Sequence, residues 1–379
     1  MIYIENNEHH ILPKEFIESH NFCVNLYDLI LETIKHDAFK ELYVSKIEVP
    51  IDNSSINVDD LKDNDPDLLK WLKDNGHNEI VTNILSKRIL TALVPDMLQF
   101  VHEGLSCLMR GKTTVALSNF RKPINENLLV LERLYHDKES YIQDFFFKPD
   151  SRKFEPNSKT INKKKVIEEV LAKFENPFFK FLSADLIHDL RFAKDINGFN
   201  PLFNKAIHIV TNDANYRTEA TNFNFVFSNK EDIYNQWKFI YDFLPYLLIY
   251  VTNLVLYIAN DLIDLDSRLI ENREFRVFAG AFCWFDSTDR YKETLPKLIE
   301  IFKKIDFECF ECKTIANLDM HDFELIYKMG IRPCLNCLHS IIPYSDELVP
   351  EVYLHDYKRE DFGLGWRSKI KNLWKKIFN

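Results

Sequence analysis

Eight glycines in 379 residues, set against 31 phenylalanines, constrain this chain more than any single motif does. Tight hairpin turns favour glycine at positive φ, so a barrel or sandwich built from many such turns is disfavoured. The aromatic side chains need a large core, and helices with apolar stripes supply one without glycine-rich connections. Hydrophobic residues make up 46% of the chain and charged residues 28%, the balance of a folded globule. The length permits two or three domains. The expected fold is mainly α, a multi-helix body with a small C-terminal α+β region.

A formal charge of −10 disfavours a protein covered in nucleic acid but permits a local basic site. The opening residues MIYIENNE carry neither the basic start nor the apolar run of a secretory signal. Seven cysteines in so long a chain do not make a disulfide framework. Cytoplasm is therefore the expected location. Residues 243–259, FLPYLLIYVTNLVLYIA, contain Pro245 and are closed by Asn260 and Asp261. The run falls short of the about 20 residues of a membrane span. It reads as a buried core helix, and integral membrane association is not expected.

Periodicity outlines the rest. Phe16, Phe22, Leu26, Leu29, Ile30 and Ile34 recur at helical spacing over residues 13–35. Residues 43–51 alternate and read as a short strand. A short helix is expected around Leu68, Leu69 and Leu72, then a long helical block over 78–135 interrupted at Pro95 and Pro123. Residues 148–165, with two prolines and the run Lys163, Lys164 and Lys165, look like a boundary. Helices resume over 166–174 and 177–192; a further one over 202–209 breaks an Asn- and Asp-rich, loop-dominated stretch from 195 to 230, and the longest spans 231–266. Residues 275–284 read as a strand, 293–305 as a helix and 306–318 as alternating strand. Three regions follow: 1–150 and 151–272, both helical, and 273–379, which is α+β.

The sharpest chemistry lies in that last region. Cys309-Phe-Glu-Cys312 and Cys334-Leu-Asn-Cys337 are separated by 21 residues. Each pair turns its second thiolate back toward the first, so two pairs brought together complete a tetrahedral four-cysteine site. Four thiolates leave no open position, which makes the expected Zn2+ structural. Lys313 and Arg332 stand beside the pairs to offset negative charge, and His321 or His339 could replace a ligand. The pattern resembles a zinc ribbon over residues 309–337, a module that serves nucleic acid and protein partners alike.

Polar residues mark two further clusters. Arg110, Arg121, Asn125 and Glu132 fall within about 60° of one another on a helix turning about 100° per residue, along the edge of an apolar stripe. They form either an ion-pair network or a polar pocket. Gly111-Lys112-Thr113 is not a phosphate loop, because Ser106 stands where its first glycine belongs. The second cluster is His188-Asp-Leu-Arg191 with Asn204, His208, Arg217 and Glu219. The candidate catalytic residues are Arg121, Glu126, His188, Arg191, His208, Arg217 and Glu219.

Ala116-Leu-Ser-Asn-Phe-Arg121, Glu126-Asn-Leu-Leu and Leu131-Glu-Arg-Leu resemble a central helix of HEPN-type helical domains. The resemblance implies a bacterial defence or toxin-type protein that acts on or senses RNA. Active members carry an Arg and a His with four to six residues between them. Here that spacing falls on Arg332 and His339, within the zinc knuckle around Cys334 and Cys337 and with Pro333 directly after the arginine, so nuclease chemistry is not carried onto them. His136, His188, Asp189 and Asp261 resemble the ligand set of HD-type metal-dependent hydrolases, an alternative function.

Residues 366–378 form a basic amphipathic pattern. Arg367, Lys369, Lys371, Lys375 and Lys376 share it with Trp374 and other apolar residues and no acid. Such a helix can lie on an anionic membrane surface, bind a partner or touch phosphate. It supports another alternative, a non-catalytic interaction or scaffold protein that uses the zinc ribbon and this helix.

Overall fold

The structure, a computed structural model, describes residues 2–4, 10–44, 66–147, 160–174, 176–194, 197–288, 307–309 and 311–341. It is mainly α. A 3-10 turn at Lys14–Phe16 leads into α1 (Ile17–Lys35), and α2 (Pro66–Asp74), α3 (Asn78–Met109) and α4 (Thr113–Arg121) follow. A π-helical turn, Lys122–Asn127, joins α4 to α5 (Leu128–His136), followed by α6 (Lys138–Ile142), α7 (Lys163–Ala172), α8 (Ala184–Phe192) and α9 (Phe199–Ile207). The two longest late helices are α10 (Lys230–Leu262) and α11 (Ser267–Ser287). A two-stranded hairpin, β1 (Phe307–Glu308) and β2 (Ile315–Ala316), and α12 (Met320–Met329) make the small C-terminal module.

The centre of the fold is α10. Asn229 caps it by accepting from the N–H groups of Glu231 and Asp232, and Asp232 returns a bond to the Asn229 N–H. This capping box satisfies donors that helix starts leave orphaned. Leu247, Ile249, Tyr250, Leu254, Val255 and Ala259 are completely buried along its length. The helix is long and apolar enough to cross a membrane by length and composition, yet neighbouring helices cover its apolar surface. One of these is α1, whose stripe Phe22, Leu26, Leu29 and Ile30 is also buried. At the N-terminus, Ile4 exchanges two bonds with the Asn21 side chain, and His20 donates from Nε2 to the Ile2 carbonyl.

Several expectations need correction. Residues 275–284 belong to α11, not a strand. A helix buried on every side carries no clean period, and Phe275, Val277, Phe278, Ala279, Ala281 and Phe282 are all buried. The boundary expected between the second and third regions, at 272/273, falls inside this helix. Pro95 does not interrupt α3, because the surrounding Val94, Met97 and Leu98 are buried and their packing outweighs one lost hydrogen bond. The break falls instead at Gly111, in the left-handed conformation at φ 68°. The α10 helix stops at Leu262, short of residue 266. Among the described residues of 306–318, strand character is confined to four, paired Phe307 with Ala316 and Glu308 with Ile315. The readings for 45–51, 148–159, 293–305 and 366–378 lie outside the described residues.

Candidate metal centre and the buried polar network

Two similar loops position the four cysteines. In one, Cys309 N–H donates to the Thr314 carbonyl (2.9 Å) and Lys313 N–H donates to the Cys309 carbonyl (3.0 Å). In the other, Cys334 N–H donates to the His339 carbonyl (2.7 Å) and Leu338 N–H donates to the Cys334 carbonyl (2.9 Å). Lys313 and Leu338 close the loops at φ 57° and 67°, left-handed values that a leucine rarely adopts. The four sulfur atoms lie within 4.8 Å of one another, with Cys309–Cys337 and Cys312–Cys334 at 3.5 Å. Metal–thiolate bonds of about 2.3 Å in a tetrahedron imply sulfur separations of about 3.8 Å. The donor set fits one metal ion. Among the described residues it is also the one group of His, Cys, Asp or Glu side chains that converges in this way.

The local electrostatics divide the thiols. Hydrogen bonds from Thr314 and Asn336 bring Cys312 down to about 5, whereas burial pushes Cys337 up to about 12 and raises Cys309. Arg332 does not offset this charge as expected. Its Nε donates to Asp322 Oδ1 (2.7 Å) and its Nη1 donates to the Pro333 carbonyl. Neither histidine replaces a ligand, for His321 is exposed on α12 and His339 contributes its main-chain oxygen. The module is fastened to the body through α12, which packs on α11. Asn272 donates to the Gly330 carbonyl (2.7 Å), and Asn25 of α1 donates to the Tyr327 carbonyl (3.1 Å).

A second arrangement lies in the body, and it joins residues that the sequence places in separate clusters. Glu132 of α5, Arg191 of α8 and Tyr250 of α10 are all completely buried. Arg191 Nη1 and the Tyr250 hydroxyl both donate to Glu132 Oε1, the latter at 2.9 Å. Burial drives the Glu132 carboxyl pKa upward, and the Arg191 charge, with hydrogen bonds from Arg191 and Tyr250, opposes it. The π turn supplies the third contact. With Pro123 in that turn, the Leu128 N–H bonds to the Pro123 carbonyl five residues back, and Arg191 Nε donates to the carbonyl of Ile124 (2.8 Å).

The four residues expected to share one helix edge are therefore dispersed. Arg110 caps the end of α3 and bonds back to Ser106. Arg121 pairs with Glu126 at 3.7 Å in a half-exposed position. Asn125 is buried in the π turn, and Glu132 faces Arg191. Of the second cluster, Arg191 alone reaches this network. His188 bonds to its neighbour Asp189 (2.9 Å), and His208, Arg217 and Glu219 are exposed on the connection between α9 and α10.

The quartet of the hydrolase reading is also split. His136 bonds to Glu169 (2.9 Å) and Asp261 to Lys138 (2.8 Å). Both line a solvent-open cavity of about 570 Å³, together with Tyr135, Lys173 and Glu271, and His188 and Asp189 do not. The residues that the sequence did not single out include Tyr250, hidden within an apolar run, and Arg273 and Arg276, which both reach Glu32 from a helix whose residues 275–284 read as strand. Arginines within an aromatic-rich stretch were the available signal. Arg367, Lys369, Lys371, Trp374, Lys375 and Lys376 lie outside the described residues.

No protein family, curated protein or solved structure matches this chain. The HEPN resemblance thus gains no support from comparison.

Proposed function

We propose that the protein is a non-catalytic interaction protein, whose C-terminal module is locked by one zinc ion and offers its cysteine loops to a protein partner. Four thiolates in a closed tetrahedral set suit zinc in a structural role, with no position for water or substrate. Cys309, Cys312, Cys334 and Cys337 would hold the ion, and the ion would hold the two loops together.

The observation that carries the reading is what those loops display. Leu335 is 87% exposed and Leu338 64% exposed, the latter from a left-handed position where glycine would be unstrained. Ile315 and Met329 of the same module are also well exposed. Apolar side chains held outward on a rigid, strained loop favour a protein contact. The dispersal of the candidate catalytic residues favours the same reading, since acid–base or nucleophilic chemistry needs its groups within hydrogen-bond reach.

The test uses the full chain. Elemental analysis should find one zinc per chain, and cross-linking in cells should join the wild type, but not Leu335→Asp/Leu338→Asp, to a defined protein. Deleting residues 365–379 should leave that partner bound; its loss would move the contact to the basic terminal segment. Thermal protection by RNA at low salt, lost in Arg217→Ala, would replace this proposal with the RNA-directed one.

A further inference from the structure

The connection between α9 and α10 has a construction that neither the metal centre nor the buried network explains. It is cross-braced throughout. Thr211 N–H donates to Thr218 Oγ1 (2.8 Å), and Thr218 N–H donates to the Thr211 carbonyl (2.9 Å). Asn224 donates from its main chain to the Ile209 carbonyl and from Nδ2 to the His208 carbonyl, both at 2.8 Å. Thr221 and Phe225 take left-handed conformations at φ 65° and 57°. Such values are costly for a threonine and an aromatic residue. Phe225 packs inward against the core.

This bracing holds an apolar face in water. Ile207, Ile209, Val210, Phe223, Val226 and Phe227 are 41–65% exposed, and the rings of Phe223 and Phe227 stack at 5.9 Å. The Asn224–Ile209 bond draws the two halves of the face together. These side chains offer roughly 600 Å² of surface, at the upper end for the largest patch on a monomer and close to the about 800 Å² per partner of a standard interface.

We propose that this face is the contact surface of a symmetric homodimer. The area suits a second copy, and so does the charge at its edge. Arg217 and Glu219 stand two residues apart on the same loop, both exposed and without an ion-pair partner among the described residues. In a two-fold interface each surface meets itself, so Arg217 of one copy can face Glu219 of the other, twice. An anionic lipid surface would require an excess of lysine and arginine. Residues 208–229 hold one arginine against Asp213 and Glu219.

Sedimentation equilibrium of the full chain tests the proposal, with circular dichroism and Tm to confirm folding. The wild type should sediment at twice its 45.1 kDa chain mass. Val226→Asp/Phe227→Asp should sediment as a folded monomer. Arg217→Glu and Glu219→Arg should each weaken dimerisation by about tenfold or more, and the double reversal should restore it, because exchanged charges still pair. A wild type that stays monomeric up to its solubility limit overturns the proposal. So does a dimer that survives Val226→Asp/Phe227→Asp, or a double reversal no better than the single ones.

Discussion

Glu132 is a carboxylate with no exposure to water, and its pairing with Arg191 leaves neither charge alone in the core. Removing one partner of such a pair leaves a buried charge alone and costs about 3–5 kcal/mol. Arg191→Leu should lower unfolding free energy by that amount in urea titration, and Arg191→Met with Glu132→Leu should recover most of it. An equal loss in the double variant would show that the pair does not act as a unit. His20 makes a pH-dependent contribution. Burial brings its pKa from 6.5 down to about 4, and its ring lies between the Ile2 carbonyl and the Tyr241 hydroxyl. The folded state keeps the ring neutral where the unfolded chain is already protonated. Its contribution is complete above pH 6.5 and is lost as pH falls toward 4, by about 3 kcal/mol for a displacement of this size. His20→Gln should flatten the stability profile in that window, measured by denaturant unfolding at stepped pH. Neither residue's partner was legible in the sequence, because Ile2 and Tyr241, or Arg191 and Glu132, meet only when distant segments pack.

Among the elements, α11 shows why a helix can be read as a strand. Its residues 275–284 are buried on all faces, so neither a 3.6-residue nor a two-residue period stands out. Gly280 sits where α11 meets α1 and α12. A Cβ there would come 2.6 Å from Phe22 Cε2 and 3.3 Å from Tyr327 Cδ2. Alanine gains about 1 kcal/mol over glycine in helix propensity, but forcing atoms into a packed core costs typically about 1–3 kcal/mol. The displaced atoms belong to a buried ring, so overpacking should win. Gly280→Ala should be destabilising by thermal unfolding, with a larger loss for Gly280→Val. The π turn at Lys122–Asn127 illustrates the opposite case. Pro123 made a local irregularity legible, and the structure alone reveals that the Ile124 carbonyl receives the Arg191 guanidinium.

At the scale of the whole molecule, the four-cysteine site lies within the C-terminal module, which meets the body where α12 packs on α11. If zinc occupies it at a thousand times its dissociation constant, binding contributes about 4 kcal/mol to folding. A strong chelator should therefore lower Tm by several degrees, with readdition of zinc restoring it. An unchanged Tm after stoichiometric removal would leave the ion no structural role. The sequence by itself determined the cysteine donor set, because each Cys-x-x-Cys pair is a local turn whose geometry needs few distant contacts. It also determined the mainly helical character, since few glycines and many apolar residues at helical spacing act over short range. Only the tertiary structure decided that Arg191 meets Glu132, that α11 is a helix and that the loop before α10 presents an apolar face. Those outcomes depend on which buried surfaces meet across large separations in the chain, and on the packing energy that selects among them.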